Sequence, residues 1–238
     1  MNELENTISQ VIEENYIPFE WNEKIDNELA DIKLNKNLPR KDLTKVPFIT
    51  IDGADAKDFD DAVHCVKNKS SFTLSVAIAD VAELVKPGTA LNNEAIERGT
   101  SIYFPSKVIP MLPEKISNNL CSLVPDEIRN VLICEIVFSN SGDLQSYNFL
   151  EARIKSHKRM TYIEVDKYLK NNSTLSKSVE NSIRSLSELT HILLKKRSQR
   201  QALEIEGQEP LLRINNEGKV DVITLPKRLF SHQMIEEA

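Results

Sequence analysis

The chain has 238 residues, 40% of them hydrophobic and 28% charged, with a formal net charge of −6. This fits one large soluble globular domain or two small ones, and the overall charge gives no sign of a nucleic-acid partner. No apolar run reaches membrane-spanning length and the N-terminus MNELENTISQ lacks a signal-peptide core. The cysteines Cys65, Cys121 and Cys134 lack CxxC spacing, which argues against a disulfide framework or zinc site and for buried thiols in a reducing, cytoplasmic setting.

Residues 1–46 read as a charged N-terminal helical arm. Ile8, Val11 and Ile12 share one face, Trp21, Ile25, Leu29 and Ile32 form a second stripe, and the arm ends in LNKNLPRKDL. PFITI followed by aspartate, 47–52, predicts a strand, and FTLSVAIADV, 72–81, a second and buried one. LNNEAIERGT, 91–100, predicts a short helix with Gly99 as C-cap. GTSIYFPSKVIPMLPEKISNNLCSL, 99–123, lacks periodicity, and Pro105, Pro110 and Pro113 force an extended path. RNVLICEIVFS and LQSYNFLEARIKSHKRM predict a hairpin about the SNSGD turn. TYIEVDKYL starts a helix with Thr161 near its N-cap, and Val179, Ile183, Leu186, Leu189 and Leu193 make a helical stripe over 177–200. ALEI, LLRI and KVDVITL predict short strands around an NNEG turn. PKRLFSHQMIEEA begins a helix near Pro226. The fold class is α+β, with a mixed or antiparallel sheet and packed helices.

TIDGADAKDFDDAV, 50–63, crowds Asp52, Asp55, Asp58, Asp60 and Asp61 into ten positions with one lysine, Lys57. Carboxylates so close repel and are driven toward protonation unless a cation joins them. An EF-hand fails, because the position of its closing glutamate is Val63. A few hard oxygen ligands with room for water and phosphate suit magnesium, and such clusters serve phosphodiester chemistry. Tyr103 and Phe104 are either core aromatics or a stacking surface for a base. Basic residues gather at Lys155, His157, Lys158 and Arg159, and again at Lys195, Lys196, Arg197 and Arg200, which is suited to phosphate contact or simply to solvation. The histidines show no ligand spacing.

Together, TIDGADAKDFDDAV, the stretch from VAIADVAELVKPG to LICEI, EARIKSHKRMTY and SHQMIEEA resemble the RNB catalytic domain of the ribonuclease II/ribonuclease R family, nearer its ribonuclease R branch. The resemblance implies a partial RNB-domain fold, with residues 1–46 as the arm and 47–238 as the N-terminal portion of the catalytic domain. It further implies processive 3′→5′ exoribonuclease activity on single-stranded RNA, with Mg2+ as cofactor and nucleoside 5′-monophosphates as products. Asp52, Asp58, Asp60 and Asp61 match the family's metal-binding, catalytic aspartates, and are expected to converge on one site. Asp55 has no assigned role. Tyr103, Tyr162, Glu236 and Glu237 match RNA-contacting positions. Ile205 stands near the place where the family often has a second clamping aromatic.

The family's domain continues into a Ser-Pro-Ile-Arg-Arg-Tyr-like segment whose arginine supports cleavage, and no such segment occurs in these residues. The expectation is a fragment covering about the first half of the domain, completed by a separate chain carrying the remainder and an S1 domain, or else an RNA-binding or interaction module without catalysis. A sheet cut short would expose unpaired edges, and the last helix would lack partners for Leu229, Met234 and Ile235.

Overall fold

The computed structural model describes residues 3–35, 37–171, 174–203, 210–215 and 217–238. In chain order the elements are α1 (Glu3–Glu14), α2 (Glu23–Asp31), β1 (Lys41–Asp42), β2 (Phe48–Asp52), β3 (Asp61–Lys67) and β4 (Ser71–Ala79). A 3-10 turn at Val81–Glu83 precedes α3 (Ala90–Arg98), β5 (Ile102–Tyr103) and β6 (Val108–Ile109). A π-helical turn at Lys115–Leu120 leads to β7 (Ile128–Ser139), β8 (Leu144–Thr161), α4 (Tyr162–Asn171), α5 (Lys177–Gln199), β9 (Leu211–Ile214), β10 (Val220–Thr224) and α6 (Phe230–Glu236). The protein is α+β, with a mixed sheet.

The chain divides into two compact units, and each draws on several chain segments. One gathers α1, α2, Ala82–Lys115 and the β9–β10 hairpin. Its small core joins Ile8 and Ile12 of α1 to Ile109, with Leu4, Ile17, Ile102 and Phe104 packed alongside. Strand alternation sends Tyr103, between Ile102 and Phe104, the other way, and it is 69% exposed. The start of α3 is satisfied from two sides. Thr89 Oγ1 accepts from Asn92 N at 3.1 Å, and the Glu28 carboxylate accepts from Ala90 N at 2.7 Å and Leu91 N at 2.9 Å. Gly99 closes the helix with φ 70°, as its sequence position predicts.

The second unit is built on the six-stranded sheet, in the order β1-β8-β2-β3-β4-β7, with β8 also paired to β7. That extra pairing closes β8, β2, β3, β4 and β7 into a ring. β8 is 18 residues long; its first two-thirds form the predicted antiparallel hairpin with β7, and its last third runs parallel to β2. The expectation of unpaired edges holds only in part: each ring strand has a neighbour on both sides over some of its length, while Leu144–Glu151 of β8 pair with β7 alone.

One face of the ring carries Ile49, Ile51, Val63, Cys65, Phe72, Leu74 and Met160, covered by Val165 and Tyr168 of α4, Val179, Ile183, Leu186 and Leu189 of α5, and Met234 of α6. The alternate residues, small at Ala62, Ser75, Ala77, Ala79 and Ala152 and larger at Phe48, Val131, Ile133 and Ile154, are buried as well and fill the inside of the ring. Helix and strand also meet through a polar contact, Cys65 N donating to Ser182 Oγ at 3.0 Å. The last helix is not stripped of partners either. Met234 is fully buried, Phe230, Ile235 and Ala238 pack on the same core, and Glu237 N donates to Gln233 O at 3.0 Å.

The β7–β8 turn touches α5. Gly142 has φ 78°, and a Cβ there would stand 2.7 Å from Ile192 Cγ2. Gly142→Ala is expected to cost about 1–2 kcal/mol for the left-handed backbone alone, and more as Ile192 is displaced. The measurement is the midpoint of urea unfolding, which should fall at unchanged slope.

Candidate metal centre

The parallel ladder builds the site. β2 and β8 run side by side with Thr50 opposite Arg159 and Asp52 opposite Thr161, so the ends of two distant motifs, TID and KRMTY, become neighbours. Asp52 ends β2 and Asp61 opens β3; Asp55, Asp58 and Asp60 ride on the loop between. That loop is strapped at several points. Phe59 is buried, its N–H donates to Ser122 Oγ at 3.0 Å, and that hydroxyl donates to Lys57 O at 3.1 Å. Leu123 N donates to Phe59 O at 2.8 Å and Ala79 N to Asp60 O at 2.9 Å. From β8, Arg159 Nη2 donates to Gly53 O at 3.1 Å and Ala54 O at 2.7 Å, and its guanidinium lies 5.0 Å from the Phe59 ring centroid.

Asp52 bears the charge problem most sharply. Burial raises its pKa to about 6; Asp61 adds to the rise, Arg159 opposes it, and Asp58 and Asp60 contribute further. Asp60 is also raised, by burial and then by Asp58, and Asp61 by burial and then by Asp60. The four aspartates thus share one electrostatic field. Asp52 Oδ2 is inaccessible to solvent and has no hydrogen-bond partner. A buried carboxylate oxygen without a donor is costly, and an oxygen-seeking cation is the group that would satisfy it. The donor set fits a hard divalent ion. Among the described residues, no three acidic, His or Cys side chains are drawn into a closed ligand set, so convergence stops at a shared field. Mutual repulsion of the carboxylates opposes anything tighter.

Tyr162 joins the same field. It opens α4, where Thr161 and Glu164 form a reciprocal cap: Thr161 N donates to Glu164 Oε2 at 2.7 Å and Glu164 N to Thr161 Oγ1 at 3.2 Å. Burial raises the Tyr162 phenol's pKa, followed by the charges of Asp52, Asp61 and Glu236. Its ring stacks on His232 of α6, centroids 4.0 Å apart at 20°, and Ser231 Oγ donates to its carbonyl at 2.7 Å. Of the two glutamates, Glu236 reaches Tyr162 electrostatically while paired with Arg228; Glu237 is paired with Arg197 of α5 at 2.5 Å. Tyr103 belongs to the other unit and stands on its β5–β6 hairpin, exposed rather than in a core. Ile205 lies outside the described residues.

Two residues at the site were not singled out by sequence. Arg159 was visible only as part of a basic run, and His232 only as a histidine without ligand spacing. The neighbourhood of KRMTY and TID that gives both their importance depends on the parallel β2–β8 pairing.

A family model for the RNB domain matches residues 40–238, and the chain belongs to that family. Ribonuclease R of Vibrio parahaemolyticus is 43% identical over 231 residues, a match that covers 93% of this chain and 27% of that protein. Ribonuclease R of Escherichia coli is 41% identical over 231 residues, covering 93% and 28%. The chain therefore spans between a quarter and a third of the length of these curated relatives. Among solved structures, Mycoplasma genitalium RNase R in complex with ribose-methylated single-stranded RNA aligns with a TM-score of 0.92 at 32% identity, over 97% of this chain and 37% of that one.

The pKa of Asp52 yields a pH test. Its folded value, about 6, lies above the ordinary 3.8, so the folded chain holds this proton more tightly than the unfolded chain. Ionised Asp52 therefore weakens the metal-free fold fully above pH 6, and the penalty fades between pH 6 and 4. In EDTA, Asp52→Asn is expected to raise Tm at pH 8 and to lose that advantage by pH 4. An equal Tm difference at both pH values would show that Asp52 is not held against its charge.

Proposed function

We propose that this chain supplies the metal-binding, RNA-contacting portion of a Mg2+-dependent 3′→5′ exoribonuclease that degrades single-stranded RNA processively to nucleoside 5′-monophosphates. The observation that carries the reading is Asp52: a strand-end carboxylate with one oxygen buried and unpartnered, raised to about 6, in the field of Asp58, Asp60 and Asp61. Asp52, Asp58, Asp60 and Asp61 would hold the ion. When bound, it supplies activation of water and neutralisation of the departing oxygen's charge. The chain's own residues do the rest. Asp52 and Asp61 are fixed by strand ends, and the strapped loop keeps Asp58 and Asp60 within their field. Tyr162, held by His232 and Ser231, places an aromatic face and a phenol beside the carboxylates. Tyr103 offers an exposed ring on which a base can stack. Glu236 and Glu237 contact the terminal nucleotides at the expense of sharing Arg228 and Arg197.

Cleavage further requires the arginine that these residues do not contain. We assign it to the stretch of the relatives beyond the matched part, whether joined to this chain or on a separate one with the S1 domain. The same gap favours a second reading for the 238 residues alone, an RNA-binding module that does not turn over.

The test is a chimera in which residues 1–238 replace the matching segment of the Escherichia coli Ribonuclease R. It is expected to release 5′-mononucleotides from the 3′ end of single-stranded RNA with Mg2+ and to stop in EDTA. Asp60→Asn in the chimera should abolish release while RNA affinity holds within about threefold, since affinity rests on phosphate contacts and stacking elsewhere. A folded chimera that binds RNA and releases nothing would favour the second reading; wild-type turnover by Asp60→Asn would remove that aspartate from the reaction.

Tyr103→Ala in the same chimera should lengthen the limit product. A stacked base is worth about 1–3 kcal/mol, so the last few nucleotides would be released early. An unchanged limit product on a sequencing gel would deny Tyr103 a substrate role.

A further inference from the structure

The acidic loop already has a resident cation, and the way it is bound is unusual. In a loop of five aspartates, an arginine would be expected to seize a carboxylate in a bidentate pair. Arg159 instead gives both its hydrogen bonds from Nη2 to the main-chain carbonyls of Gly53 and Ala54, at 3.1 and 2.7 Å, and lays its guanidinium on the Phe59 ring, 5.0 Å from the centroid. Its charge acts on Asp52, yet Asp52 Oδ2 remains without a hydrogen-bond partner. The arginine attracts the carboxylate without using up its ligand oxygen.

The anchor is firm at both ends. Arg159 sits in β8 opposite Thr50, in the ladder that ends at Asp52. Its targets bracket the acidic loop: Gly53 and Ala54 directly follow Asp52, and Phe59 stands between Asp58 and Asp60 with its main chain tied to Ser122 and Leu123. A planar guanidinium can bind two carbonyls and stack on a ring together; an ammonium cannot.

We propose that Arg159 is a positioning residue for the metal centre: it clamps both shoulders of the aspartate loop to β8, holding Asp58 and Asp60 toward Asp52 while leaving the carboxylate oxygens open. This rests on the metal-binding reading above. It makes a prediction opposite in sign to simple electrostatics. Removing a nearby positive charge should strengthen cation binding by relieving repulsion. Removing a clamp should weaken it, because the ligands must then be gathered at the moment of binding. Residues that orient metal ligands typically change affinity by about 10–100-fold when lost.

The experiment uses the 238-residue chain and Mn2+ as probe, with free ion followed by its paramagnetic resonance signal. Arg159→Met and Arg159→Lys are compared with wild type, and hydrogen exchange of peptides covering 50–61 is measured without metal. The clamp predicts Mn2+ affinity about tenfold or more weaker in Arg159→Met and intermediate in Arg159→Lys, with faster exchange over 53–59 in both. Equal or tighter Mn2+ binding by Arg159→Met, or unchanged exchange, overturns it. If Arg159→Met does not fold, Arg159→Lys decides by the same two readings. Wild-type chain that binds no Mn2+ sinks the metal reading instead, and the exchange data still decide whether Arg159 clamps the loop.

Discussion

Everything at the site depends on one strand pairing on both of its sides. β8 has 18 residues, about 60 Å of extended chain, far longer than a hairpin arm requires. Its first part is held by β7 in a local, easily formed antiparallel ladder. Its last part continues past that partner and pairs in parallel with β2. This second pairing closes the ring and sets Thr161 beside Asp52. A parallel ladder has no short connection to guide it, so its register must come from side chains. Ile49 and Ile51 on β2 and Met160 on β8 lie in the same core under α4 and α5. A slip by one residue would turn all of them outward. The packing of α5 on the ring thus fixes, at a distance, which residue faces the first aspartate.

The same closure creates the site's tension. Burying the end of β2 takes Asp52 partly out of water, beside three other carboxylates. An apolar or neutral residue there would stabilise the isolated fold, so local stability runs against the arrangement, as expected where strain is kept for function. The surroundings soften the conflict without ending it. Arg159 supplies opposite charge but spends its hydrogen bonds on the main chain. Phe59, Ser122 and Leu123 hold the loop from behind through backbone groups. Asp52 Oδ2 is still left without a hydrogen-bond partner, as is Arg159 Nε beside it.

Much of the fold was legible from local pattern. The strand before the aspartates, the long buried strand after it, the β7–β8 hairpin, the helix with Gly99 as cap and the 23-residue stripe of α5 all follow from periodicity and capping chemistry. β3 was missed because DAVHCVK begins with the last aspartate of the motif and reads as more of the same loop; only Val63 and Cys65 reach the shared core, and Val66 is exposed. Ring closure was not legible at all, since nothing in the second half of β8 differs from an ordinary strand end. Of the site, the aspartates and Tyr162 were found through a motif, whereas Arg159 and His232 owe their importance to contacts that only the closed ring and the docked α6 create.

Tyr162 shows how few parts the arrangement has to spare. It is at once the first residue of α4, the next residue after the partner of Asp52 in the ladder, and the stacking partner of His232 in α6. Its carbonyl accepts from Ser231 on α6 as well. The last helix is therefore docked onto the end of β8, the strand paired with the one that ends at Asp52, and Glu236 comes with it. α6 is short, but its position is not left to its own propensity: Met234 is buried in the main core and Glu237 is tied to Arg197 of α5. β8, α4 and α6 together hold Tyr162, whose phenol feels the charges of Asp52 and Asp61, the kind of support that a functional constellation needs from its surroundings. Between TIDGADAKDFDDAV and SHQMIEEA lie 167 residues of the chain, yet a single tyrosine joins them.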